Sequence, residues 1–221
     1  MGFYFDIIFI LFTMKIGLVD SGIGVIPFIK SIIKHHINND YYIFIDDKYF
    51  PYGEKTEEEL LSRLIHIFNY FEKIGINQLL ICCNTLSYIY MKFKISTTFK
   101  VETILSINIS KKGKLLTTSY LSKKINSVDG GPLASLIESK LIKEIINFIK
   151  SIKEKEIILS CTHYPLIKSL FYIYDINALS YEDELISLLP STDSFSINVE
   201  KKDYRLIRSY FKKVSINLID N

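Results

Sequence analysis

The sequence predicts an α/β fold of parallel sheets, arranged as two lobes around a shared cleft. Three observations carry that expectation. From Met14 onward, short apolar runs alternate with longer helical stretches, the pattern of a parallel sheet with helices on both faces. The alternation starts again near Lys114. And Leu79-Leu80-Ile81-Cys82-Cys83-Asn84-Thr85 is echoed by Ile157-Ile158-Leu159-Ser160-Cys161-Thr162-His163. Each of these is an apolar strand that runs into a cysteine, small polar residues and then a helix.

Ile16 to Val19 reads as a buried strand ending at Asp20-Ser21-Gly22, and Val25 to His35 as the helix after it. Tyr41 to Ile45 is a second strand, followed by a polar loop through Pro51-Tyr52-Gly53. Thr56 is a candidate N-cap, because Glu57, Glu58 and Glu59 follow in the first turn, where carboxylates suit the helix dipole. That helix is expected to reach Lys73 and stop near Gly75. Gln78 to Cys82 is a third strand and Leu86 to Lys94 a third helix. In the second lobe, Lys114 to Thr117 is strand-like, Leu136 to Lys153 reads as one long helix, and Glu156 to Ser160 as a buried strand. Pro165 opens a helix at a position proline favours. A strand over Ser194 to Val199 and a helix over Tyr204 to Lys213 return to the first lobe. The expected division is therefore 14–96 with 190–221 as the first lobe and 97–189 as the second. Residues 1–13 read as an extension upstream of a natural start at Met14-Lys15-Ile16-Gly17. Its apolar run, Ile7 to Phe12, is far shorter than the roughly 20 residues a membrane span needs. Nor does a basic start precede it.

Composition narrows the function. With 48% hydrophobic residues in a 221-residue chain there is material for a real core, which argues against disorder. The net charge of +3 is small and the 27 basic residues are scattered, so no nucleic-acid surface is expected. Three cysteines cannot all pair with one another, which fits a reducing compartment, the cytoplasm, and thiol chemistry.

Ligands of open parallel sheets sit beyond the carboxyl ends of the strands, so two facing lobes would each contribute one cysteine, Cys83 and Cys161. A helix N-terminus offers unpaired N–H groups that favour thiolate over thiol. A thiolate is a general base and its thiol a general acid. One such group removes and returns a proton on a single face of a carbon, whereas two on opposite faces invert it. The pattern therefore suggests racemisation or epimerisation without a cofactor. Cys82, pointing the other way on its strand, is read as a small hydrophobe. Cys161 and His163 form a rival pair of metal ligands, but no second Cys/His pair has zinc spacing, and no metal is expected. Asp20-Ser21-Gly22-Ile23-Gly24 lacks the ending of a phosphate-binding loop.

Four motifs, taken in order, resemble those of glutamate racemases: Val19-Asp20-Ser21-Gly22-Ile23-Gly24, Phe50-Pro51-Tyr52-Gly53, Cys83-Asn84-Thr85 and Cys161-Thr162-His163-Tyr164-Pro165. The resemblance runs from Met14 to the C-terminus, and the last motif separates it from relatives that act on aspartate or hydantoins. It implies pseudo-symmetric lobes with mainly parallel, flavodoxin-like sheets. Cys83 would exchange the proton with D-glutamate and Cys161 with L-glutamate, with no cofactor. Asp20 resembles the carboxylate beside the first cysteine and His163 the residue assisting the second. Asp46 and Glu138 match two further acids of the family's catalytic set. Asp20, Ser21, Pro51, Tyr52, Gly53, Asn84, Thr85, Thr118, Thr162 and His163 match positions that hold the substrate. The implied role is D-glutamate supply for peptidoglycan, without stable membrane association. A homodimer is compatible with the resemblance. Three departures stand out: Val25 where the family has a second glycine, Leu121 in place of a substrate-binding threonine, and Lys48-Tyr49 in place of Ala-Arg. They leave a non-catalytic descendant that binds an amino acid or a partner protein as the alternative from another functional class, and an aspartate or other acidic amino-acid racemase as the alternative within the family.

Overall fold

The computed structural model describes residues 13–219, so the extension expected over 1–13 lies, apart from Thr13, outside the described residues. The first unit runs β1 (Lys15–Asp20), α1 (Ile26–His35), β2 (Asp40–Ile45), α2 (Glu57–Ile74), β3 (Gln78–Ile81), α3 (Asn84–Phe93), β4 (Lys100–Thr103) and α4 (Ile104–Ser110). The second runs β5 (Leu115–Thr117), α5 (Ser119–Ser122), β6 (Val128–Asp129), α6 (Leu133–Glu138), α7 (Ile142–Ser151), β7 (Glu156–Leu159), α8 (Lys168–Ile173), β8 (Asn177–Leu179) and α9 (Glu182–Ser187). The chain then returns through β9 (Ser196–Val199), α10 (Lys201–Tyr210) and β10 (Ile216–Leu218).

All strand pairs in the two sheets are parallel. The first sheet has the order β10-β9-β2-β1-β3-β4 and the second β6-β5-β7-β8. Within them, β2-β1-β3-β4 and β6-β5-β7-β8 are the same winding, so the second lobe repeats the first strand for strand. The sequence echo is thus a topological one: Cys83 follows β3 and Cys161 follows β7. Register gathers the chemistry at one end. Asp20 pairs with Ile45, and Val19 with Ile81, so Asp20, Asp46 and Cys83 all emerge at the carboxyl edge. In the other sheet Leu116 pairs with Leu159, which brings Thr118 and Cys161 to the equivalent edge.

The strands are apolar on both faces because helices cover both. Val19, Leu79 and Ile81 pack with Leu60, Leu64 and Phe68 of α2. Ile16, Leu18 and Leu80 face α1 in a core that continues into Leu116, Ile157 and Leu159 of the second lobe. The two lobes therefore share apolar packing. Helix α2 forms where expected, with a full capping box at Thr56 and Glu59 and a stop at Gly75, whose φ of 71° is left-handed.

Four expectations need correction. β4, which a boundary at residue 97 assigns to the second lobe, hydrogen-bonds along β3 and closes the edge of the first sheet. The single helix over Leu136 to Lys153 is two helices, α6 and α7, broken at Lys140, whose φ is 57°. Pro165 opens a 3-10 turn, Tyr164–Ile167, before α8 begins. The last helix starts three residues early, at Lys201, and leaves room for β10 on the sheet edge.

Candidate active site

Helix α3 begins at Asn84, which makes Cys83 its N-cap and sets the sulfur beside unpaired backbone N–H groups. Cys161 lies two residues past β7, in the turn that leads into the Tyr164–Ile167 segment. Both thiols are free and buried. They line one cavity of about 30 Å³ together with Ser21, Phe50, Pro51, Tyr52, Gly53, Asn84, Thr85, Thr118, Ala134, Thr162 and His163. That volume holds roughly one or two water molecules.

The side chains around the two sulfurs are tied together across the lobes. Ser21 Oγ is 4.0 Å from Cys83 Sγ. His163 Nδ1 is 3.9 Å from Cys161 Sγ, while its Nε2 is 2.7 Å from Glu138 Oε2. Thr162 donates to Asp20 Oδ2 at 2.9 Å, and the Gly22 N–H to Asp20 Oδ1 at 3.1 Å. This close approach explains the glycines of the first motif. A Cβ on Gly24 would overlap the Thr162 side chain and Asp20, and one on Gly22 would lie 3.0 Å from Glu138. Val25 stands outside that contact and packs fully buried in the core, so the missing second glycine is not felt at the cavity. Leu121 is also buried in the core and does not line the cavity.

Charge in this buried site follows burial and pairing. Burial pushes the Asp20 carboxyl up to about 6, although the His163 charge, the Thr162 hydroxyl and the Gly22 N–H pull it back down. Burial opposes a charge on His163, but its hydrogen bonds to Cys161 and Glu138 outweigh that and raise it to about 10. At neutral pH it is an imidazolium. Burial, and then the Asp20 carboxylate, push the Cys83 thiol well up, so it rests protonated.

Three acids expected at the site do not line the cavity: Asp20, Glu138 and Asp46. Asp20 and Glu138 stand behind Thr162 and His163 and act on the cavity through them. Asp46 is more remote in role. Arg63, from α2, holds both its oxygens at 2.6 and 2.7 Å, and the Tyr52 hydroxyl donates to it at 2.5 Å. Sequence reading missed Arg63, as it missed Phe50 and Ala134 in the wall. The Arg63 guanidinium lies 4.5 Å from the Tyr49 ring centroid and 5.5 Å from that of Phe44. The Tyr49 departure is therefore part of the seat for this ion pair.

No family model matches the chain. A glutamate racemase of Aliarcobacter butzleri is 30% identical over 190 residues, covering 70% of this chain and 73% of that protein. A glutamate racemase of Buchnera aphidicola is 29% identical, covering 91% of this chain and 88% of that protein. Among solved structures, the glutamate racemase isoform RacE1 of Bacillus anthracis is similar with a TM-score of 0.72 at 19% identity, covering 94% of this chain and 97% of that one. The Francisella tularensis glutamate racemase, crystallised with D-glutamate, is similar with a TM-score of 0.73 at 19% identity, covering 95% and 97%. At these identities the two structures speak for the fold.

Proposed function

We propose that this chain, which belongs to the glutamate racemase family, interconverts L- and D-glutamate by proton transfer between Cys83 and Cys161. The observation that carries the reading is one cavity lined by two free cysteines, each supplied by the equivalent strand end of a repeated lobe. A thiolate on one face takes the α-proton, leaving its electron pair on the carbon as a planar carbanion. The thiol on the other face gives its proton to that carbon, and the enzyme ends with the two sulfurs' protonation exchanged. With Cys83 resting as the thiol, it is the first acid and the base role falls to Cys161, beside the His163 imidazolium. Ser21, Asn84, Thr85, Thr118 and Thr162 supply the polar groups that hold the zwitterion, and Thr118 Oγ1 and Asn84 Nδ2 have no partner among the described residues. Pro51, Tyr52 and Gly53 close the wall.

Among the described residues no helix is long and apolar enough to cross a membrane. We place the enzyme in the cytoplasm, where its free thiols stay reduced, supplying D-glutamate for peptidoglycan. A homodimer is part of the same reading.

The test is circular dichroism of the protein incubated with D-glutamate and, separately, with L-glutamate. Decay of the optical signal from both, abolished by thiol alkylation, is the expected result. Decay with aspartate alone would refute the substrate, and decay with neither would refute the activity.

The same assay has an expected pH profile. As pH falls through about 6, Asp20 takes a proton and its attraction for the His163 imidazolium is lost, so kcat/KM declines. As pH rises through about 10, His163 gives up its proton and kcat/KM declines again. Asp20→Asn cannot titrate and should lose the acid limb while keeping the alkaline one. An acid limb unchanged in Asp20→Asn would assign it elsewhere.

A further inference from the structure

The residue after one reactive cysteine touches the residue before the other. Ser160, directly ahead of Cys161, donates from Oγ to Asn84 Oδ1 at 3.0 Å, and Asn84 directly follows Cys83. Asn108, from α4, donates to the same Asn84 oxygen at 3.0 Å and to Ser160 Oγ at 3.2 Å. All three side chains are buried. With its oxygen accepting from both Asn108 and Ser160, the Asn84 carboxamide keeps the two N–H bonds of Nδ2 as its remaining capacity. That nitrogen is buried without a partner among the described residues, and Asn84 lines the cavity. Asn108 Oδ1 also lacks a partner among the described residues; turning that amide over alone would set two oxygens against each other at Asn84, and turning both amides over together would aim the Asn84 oxygen, not its N–H bonds, at the cavity. An unpaired buried amide is costly, and an anionic oxygen arriving beside it relieves the cost with a charge-assisted hydrogen bond.

We infer that Asn108 and Ser160 are positioning residues for substrate, locking the Asn84 carboxamide so that its amino group meets the substrate's carboxylate. Neither residue lines the cavity, and neither belongs to the motifs that carry the family resemblance. The inference takes the identity of the ligand from the racemase reading.

Asn108→Asp separates positioning from mere packing. It presents only acceptors to Asn84, so the Asn84 amide turns over to donate to it, and the Asn84 oxygen then faces the substrate's carboxylate. Asn108→Ala removes a donor but leaves Ser160 to hold the amide. Calorimetric titration with D-glutamate is expected to give a Kd about tenfold or more weaker for Asn108→Asp, and weaker than for Asn108→Ala, whatever the order of their melting temperatures. If Asn108→Asp does not fold, Ser160→Ala carries the test, with a Kd weakened about threefold or more. A wild-type Kd in whichever of these folds overturns the inference. Binding without turnover in the wild-type protein refutes the racemase reading alone, and a wild-type chain that binds neither enantiomer overturns both.

Discussion

Cys83→Ser and Cys161→Ser are each expected to lower kcat for racemisation by about 10² to 10⁴-fold, in both directions, while the protein stays folded. Serine keeps the shape of the site, but its hydroxyl ionises far less readily than a thiol and makes a poor base for an α-proton. The loss is bidirectional because each turnover exchanges the protonation of the two sulfurs, so disabling either one stops the cycle. For the same reason the double variant should be little slower than either single one, as groups that act as a unit are far from additive. Rates by circular dichroism, with melting curves as the control for folding, make the check. A single variant with full activity in both directions would eliminate the two-thiol route.

Arg63→Met is expected to cost stability rather than chemistry, about 3–5 kcal/mol in urea unfolding. The guanidinium binds both oxygens of Asp46 from a position only 14% exposed, and the Asp46 side chain is 2% exposed. Removing the cation leaves a buried carboxylate with the Tyr52 hydroxyl as its remaining side-chain partner. Adding Asp46→Asn to Arg63→Met should recover part of the loss, because the uncompensated charge is then gone. A double variant no more stable than Arg63→Met would show that the guanidinium matters for its packing between Tyr49 and Phe44 instead. The activity of these variants reports on Tyr52, whose hydroxyl is fixed by Asp46 and whose ring forms the cavity wall.

How much of this was legible in the sequence depended on range. Helix α2 was readable because its signals are local: Thr56 and Glu59 close the capping box and Gly75 ends the helix in a left-handed turn. The break between α6 and α7 was not, because Ile137, Leu141, Ile145 and Ile149 keep a four-residue spacing straight through it. In the structure Leu141 is turned outward and 44% exposed, and Lys140 carries the left-handed bend. β4 and α4 were hidden in Lys100 to Ser110, whose mixture of β-branched and polar residues favours neither period. Only pairing with β3 settles the strand, and only the Thr103 cap, which accepts from the Ser106 N–H at 3.2 Å, marks the helix. In the site, residues carried by motifs could be found one at a time. Arg63, Asn108 and Ser160 could not, since each acts across a gap of 17 to 76 residues and carries no motif of its own. The motif acids were recognised by type, but not that Asp46 faces Arg63 instead of the cavity.

The most direct test of proton transfer between two opposed thiols is the fate of the α-hydrogen when L-glutamate is racemised in D₂O and followed by NMR to low conversion. With Cys161 removing the proton and a deuterated Cys83 delivering to the other face, the D-glutamate formed should carry deuterium at Cα from the first turnover. The remaining L-glutamate should keep its hydrogen. D-glutamate that retains the original hydrogen would mean that one group carries the proton from face to face, and the two-thiol mechanism would be wrong.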